Sequence, residues 1–201
     1  MRTNIALALA LGLSLSALAC SGSPTEASRS GNLKLMITDA PFDEASALHV
    51  TFTELKAHRE DGAGGWLTVP FAGSPAATIR TCNLKKLDGP FDILGAASLD
   101  AGQYTQLRLV VDSATIFFGG TATGEPACAN ALAAPSGSGV TSARLEIPSG
   151  EVKLIQPFAL TTSGTTTIDL DFDGGQSVHQ TGNGRYMMSP VIRILSVKTG
   201  S

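Results

Sequence analysis

Thr165-Thr-Thr-Ile-Asp-Leu-Asp-Phe172 alternates apolar and polar residues more cleanly than any other stretch of the chain. Successive strand side chains point to opposite faces, so Ile168, Leu170 and Phe172 share one face and Thr167, Asp169 and Asp171 the other, with Asp173 next in the polar set. A helix would scatter these residues around its axis. The segment is a half-buried strand.

The same period recurs on both sides of it. Upstream, Leu33, Leu35 and Ile37 alternate with Lys34, Met36 and Thr38, and Leu48, Val50 and Phe52 with His49, Thr51 and Thr53. After Glu54 the apolar parity passes to Leu55 and Ala57, which predicts a β-bulge there. Gly65 to Val69 reads as a short strand, Ala77 to Leu87 as a weak one, and Phe91 to Ala97 as a strand or a 3₁₀ turn. Leu107, Leu109 and Val111 oppose Tyr104, Gln106, Arg108 and Val110. Asp112-Ser113 predicts a break before a further strand, Ala114 to Phe118. Arg144 to Ile147 and Val152 to Ile155 flank a Pro148-Ser-Gly150 turn, and Tyr186 to Val197 closes the domain. No helix is expected in the mature chain. Many short strands separated by turn residues imply an all-β, antiparallel β-sandwich, immunoglobulin-like or transthyretin-like, over residues 32–199. With 22 Gly and 10 Pro and only 15% charged residues, composition agrees.

Residues 1–19 read as a signal peptide: Arg2 is the only charge, and Ile5 to Ala19 is a run of Ala, Leu, Gly and Ser too short to cross a bilayer. Ala17-Leu-Ala-Cys20 resembles a lipobox, which makes Cys20 the lipidation site and a lipid-bearing N-terminus the link to the membrane; ordinary cleavage after Ala19 is the alternative. Residues 20–31 form a polar tether. The expected location is the cell envelope, with lack of an aspartate beside Cys20 pointing to the outer membrane, on its periplasmic or exposed side. Without residues 1–19 the chain keeps 13 basic against 17 acidic residues, a net charge of −4. That balance argues against nucleic acid, whose phosphates require basic surface.

Export sets the redox conditions. With Cys20 acylated, Cys82 and Cys128 remain, and an oxidising compartment favours a disulfide between them over two free thiols. Cys128 lies in Gly119 to Thr141, a stretch with almost no strand or helix pattern. Loops of that length within a compact domain are usually functional or disordered.

Chemical motifs are sparse. Asp169, Asp171 and Asp173 followed by Gly174 suggest calcium, but Gln180 stands where an EF-hand needs glutamate. Those carboxylates form either a calcium site on one strand face or a solvated acidic face; no other cofactor is expected. His49, His58 and His179 lack metal spacing, and no nucleophile elbow or phosphate loop occurs. Catalytic residues are therefore none. Trp66, with Tyr104 and Tyr186, is a candidate sugar platform or simply core and strand pairing. Asp39 and Asp43 are candidate binding residues, and with Asp173 they would form the site if the domain were a hydrolase.

Leu35-Met-Ile-Thr-Asp-Ala-Pro41, Val50-Thr-Phe-Thr-Glu-Leu-Lys56, Gly65-Trp-Leu67, Leu99-Asp-Ala-Gly-Gln-Tyr-Thr-Gln-Leu-Arg108, Ile147-Pro-Ser-Gly150, Asp171-Phe-Asp173 and Ser189-Pro-Val-Ile-Arg193 occur in this order and spacing. Together they resemble the family catalogued as domain of unknown function 4382, found in bacterial and archaeal lipoproteins. The resemblance implies envelope placement and a β architecture and brings no catalytic residues. The expected function is a lipid-anchored, non-enzymatic binding or structural module for an envelope protein or glycan. The alternatives are an envelope hydrolase and a calcium-dependent adhesin module.

Overall fold

A computed structural model describes residues 29–40, 45–60, 65–73 and 77–200. The signal peptide, Cys20, most of the tether and Asp43 lie outside the described residues. Among those described are β1 (Ser30–Asp39), β2 (Ala47–Arg59), β3 (Trp66–Thr68), β4 (Arg80–Asn83), β5 (Asp92–Asp100), β6 (Gly102–Phe118), β7 (Cys128–Ala129), β8 (Thr141–Arg144), β9 (Glu151–Leu160), β10 (Thr165–Phe172), a one-turn α1 (Gly174–Ser177), β11 (Val178–Gln180), β12 (Tyr186–Met188) and β13 (Ile192–Gly200).

Two curled sheets form the sandwich. The first has the order β13-β10-β1-β5, and the second runs β7-β4-β2-β6-β8, with β3 beside β2 and β9 beside β6. Pairing is antiparallel except between β1 and β10, which run parallel with Asn32 opposite Thr165 and Asp39 opposite Phe172. Parallel neighbours need a long crossover. Here the crossover is the entire second sheet, so the first strand of the domain becomes central only when the tenth arrives.

The apolar faces meet between the sheets. Leu33, Leu35, Ile37, Ile168, Leu170 and Phe172 of the first sheet face Phe52, Leu55, Leu107 and Leu109 of the second, all fully or almost fully buried. Phe52 and Phe172 meet edge to face across the core, with centroids 6.1 Å apart. Such geometry suits the ring quadrupole and adds to the area buried.

Bulges account for most departures from simple alternation. In β2 the register slips between Phe52 and Glu54, where the sequence predicts it. The expected break at Asp112-Ser113 does not occur. β6 continues for 17 residues, and the β2–β6 register steps over Asp112 instead. A second slip in β6, between Tyr104 and Gln106, turns Tyr104 away from its expected outer face. Tyr104 is buried, stacked on Phe158 at 5.2 Å, with its hydroxyl donating to the Asp100 carbonyl at 2.8 Å. A Cβ on Gly150 would run into the Val111 carbonyl, so only glycine lets the turn before β9 pack against β6.

Other expectations are corrected in detail. The weak strand Ala77 to Leu87 shrinks to β4 followed by a 3₁₀ turn, Leu84–Lys86, capped by the Asn83 side chain. Phe91 to Ala97 belongs to a full strand, β5. Tyr186 to Val197 is two strands, because Pro190 lacks an N–H and separates β12 from β13. One helical turn, α1, also forms where none was expected, with Asp173 as its N-cap.

Candidate functional site

The carboxylates of β10 are not a solvated face. Asp169, Asp171 and Asp173 are only 7%, 5% and 6% exposed. The antiparallel β10–β13 register sets Ser196 opposite Asp169 and Arg193 opposite Asp171. Asp169 Oδ2 accepts from Ser196 Oγ and Lys198 Nζ, both at 2.6 Å. Burial pushes the Asp169 carboxyl up, but these bonds outweigh it and hold the group below its ordinary value. Arg193 Nη2 donates to Asp171 Oδ2 at 2.7 Å and to Asp173 Oδ2 at 3.4 Å. Asp173 Oδ1 also accepts from the Gln176 N–H. The row is thus neutralised by the protein's own cations. Among the described residues no group of three or more His, Cys, Asp or Glu is placed to hold a metal ion.

Asp39 is different. It continues the inward parity of Leu33, Leu35 and Ile37, so its carboxyl turns toward the space between the sheets and is 4% exposed. Oδ1 accepts from the Gly174 N–H at 2.9 Å, while Oδ2 is buried without a partner. Burial pushes its pKa up to about 7, against the lowering effect of the Gly174 bond and with the charges of Asp171, Asp173 and Asp88 adding to the rise.

A second site lies on the outer face of the other sheet. Cys82 and Cys128 are opposite one another in β4 and β7, with Cα atoms 4.1 Å apart, and are joined by a disulfide. The loop 119–141 is held further by paired Thr121 and Ser136 backbones, by Asn83 N–H to the Ala127 carbonyl, and by the Cys128 N–H to Asp92 Oδ2. Folded in this way, it walls a cavity of about 360 Å³ with Asn130 and Leu132. The floor is His49 and Thr51 of β2, Thr81 of β4, and Ser113, Thr115 and Phe117 of β6. The Thr51 and Thr81 hydroxyls bond at 2.9 Å. His49 packs against Phe117 at 4.8 Å, and burial lowers its pKa, opposed by Glu125 and assisted by Lys86.

The three aromatic candidates do not form one platform. Trp66 has the Arg108 guanidinium 4.1 Å over its ring and His58 edge-on at 5.0 Å, so this ring face is taken. Tyr104 is in the core, and Tyr186 packs beside Phe118.

The sequence comparison adds one fact to this geometry. The family model described as Domain of unknown function (DUF4382) matches residues 30–190. The chain belongs to that family. No curated protein and no solved structure matched it. In this DUF4382 domain the matched span takes in β1 to β12, both disulfide cysteines and the whole cleft. β13, which carries Arg193, Ser196 and Lys198, follows it.

Sequence reasoning singled out the carboxylates and the disulfide and passed over His49, Thr51, Ser113 and Thr115. The available signal was their shared outward parity on strands beside Cys82. Nothing local says that a distant loop covers that face.

Proposed function

We propose that this DUF4382 domain is a lipid-anchored, non-enzymatic binding module of the cell envelope, with the cleft beside the loop 119–141 as its contact surface. The observation that carries this reading is the stapled loop: a disulfide and several backbone bonds fix a long irregular segment over a sheet face, leaving a preformed concavity. Ala17-Leu-Ala-Cys20 supplies the anchor. The Arg29 and Ser30 carbonyls meet Ala101 and Ser163 at one end of the sandwich, whereas Asp39 and the Phe117–Ser46 contact lie at the other, where β6 runs into the loop. A tether of roughly ten residues reaches at most about 35 Å. Entering at the opposite end of the sandwich, the tether leaves the loop-bearing end free to meet partners.

The test is a pull-down from envelope fractions with the full chain, with and without calcium, beside a form in which residues 121–136 are replaced by a short Gly-Ser linker. Capture that depends on the loop supports the reading, and capture unaffected by its removal overturns it. Metabolic labelling with palmitate, lost in Cys20→Ser, tests the anchor.

One observation favours a second reading, an envelope hydrolase: burial pushes the Asp39 pKa up to about 7 beside Asp171 and Asp173, which are paired with Arg193, the environment a general acid needs. Turnover of ester or glycoside reporters, abolished in Asp39→Asn, would decide for it.

A further inference from the structure

Resting on the binding-module reading, we infer that the cleft of His49, Thr51, Thr81, Ser113, Thr115 and Phe117 takes a neutral oligosaccharide. Four features of the cleft lead to this class of ligand.

First, its lining contains no Asp, Glu, Lys or Arg. Among the lining residues an anionic ligand such as a phosphate or uronate finds no cation and a cationic ligand no carboxylate; Lys86 and Glu125, which act on His49, and Arg144, opposite Thr115, stand outside the lining. Desolvating either would go uncompensated. His49, the one titratable lining residue, is held toward its neutral form by burial against Phe117.

Second, the polar groups are unspent. Thr51 and Thr81 bond to each other, but Ser113 and Thr115 hydroxyls and the Asn130 amide make no side-chain hydrogen bond to the described residues. Hydroxyls both donate and accept, and an amide offers both functions in one plane. That matches a sugar, whose hydroxyls likewise do both. Ser113, Thr115 and Phe117 recur at alternate positions of one strand, roughly 7 Å apart, so the polar groups form a row.

Third, the row is bordered by apolar surface from Phe117, Leu132 and the 38%-exposed Ile79. A sugar ring presents C–H faces as well as hydroxyls, and such a mixed lining meets both. A lipid chain would leave the hydroxyl floor buried and unpaired.

Fourth, the backbone at the floor is already occupied. β4 lies between β7 and β2, β2 between β4 and β6, and Thr115 to Phe117 of β6 between β2 and β8. An extended peptide cannot add a strand here, so recognition rests on side chains. At about 360 Å³ the cavity is near the lower end of the usual range for ligand pockets, ~300–1,000 Å³. It would hold part of a glycan chain rather than a large ligand.

The experiment is titration calorimetry of the full chain in a zwitterionic detergent. The probes are cellohexaose, maltohexaose, mannohexaose and xylohexaose, with hexagalacturonate and a heparin hexasaccharide as charged comparators. At least one neutral probe is expected to bind, the charged ones not. Ser113→Ala and Thr115→Val are each expected to weaken binding tenfold or more while melting stays within about 2 °C of wild type. Tm separates a lost contact from a lost fold, and the milder Ser113→Ala keeps the test usable if Thr115→Val unfolds. Failure of all four neutral probes overturns the inference, as does tighter binding of a charged one, or a neutral titration that neither substitution changes. If loop-dependent capture persists in the pull-down while every sugar fails, the binding module stands and the glycan falls. If capture also ignores the loop, both fall.

Discussion

The acidic row of β10 and the cleft beside the loop 119–141 are both polar strand faces, yet they end in opposite states. On β10 each carboxylate meets a cation or donor from β13 or the α1 turn, and the interactions close among themselves. In the cleft, Ser113, Thr115 and Asn130 have no such partner among the described residues, and the lining carries no Asp, Glu, Lys or Arg. A polar group that has found its partner within the fold has little left to offer a ligand. The contrast teaches that charge density, the more visible feature of a sequence, is a poorer guide to a binding surface than unspent hydrogen-bonding capacity.

The largest effect that would break this comparison comes from the disulfide. Cys82→Ala with Cys128→Ala releases a cross-link spanning 46 residues, and loop-closure entropy puts the loss at about 3–4 kcal/mol. Urea denaturation should show it, and limited proteolysis should open the 119–141 loop first. The ion pairs of β10 should be untouched.

Asp39 sharpens the acidic side. Its folded pKa of about 7 lies above the ordinary 3.8, so the folded state binds the extra proton between those values. Its contribution to stability is full below about pH 4, is lost as pH rises, and is gone above about pH 7. Asp39→Asn should therefore raise stability at pH 8 by about 1–3 kcal/mol and change little at pH 4. Melting curves across pH 4–8 check this; an unchanged slope would mean that the buried carboxyl has found a partner.

Arg193→Ala leaves Asp171 and Asp173 without their shared cation. Arg193 is more than half exposed, so the expected loss of stability is smaller than for a fully buried pair. Chemical denaturation should show partial recovery in Arg193→Lys, which restores the charge but not the forked geometry. The smallest effect is Thr51→Val, which removes one hydroxyl bond to Thr81 at about 0.5–1 kcal/mol. The same substitution should leave the acidic row as it is.

Legibility in the sequence followed the range of the interaction concerned. The strand at Thr165–Phe172, the parity change after Glu54 and the Cys82–Cys128 pairing were all readable. Asp112-Ser113 misled because a bulge and a chain break look alike in one strand; only β2, pairing across the gap, continues β6. Tyr104 misled for the same reason, since one extra residue reverses a face. The acidic residues were visible, but their burial was not, because Arg193 and Lys198 come opposite them only through β13. The cleft was least legible, since its wall comes from a loop with no pattern.

Sequence alone determined the β class, the alternating faces, the family and the capacity for one cross-link, because the two-residue pleat and the chemistry of cysteine are local. Tertiary structure decided which faces are covered: it buried Asp39 and the β10 row, drew Tyr104 into the core and set the loop beside His49. Burial is a property of what arrives from elsewhere in the chain, and here β1 and β10, at opposite ends of the domain, lie side by side.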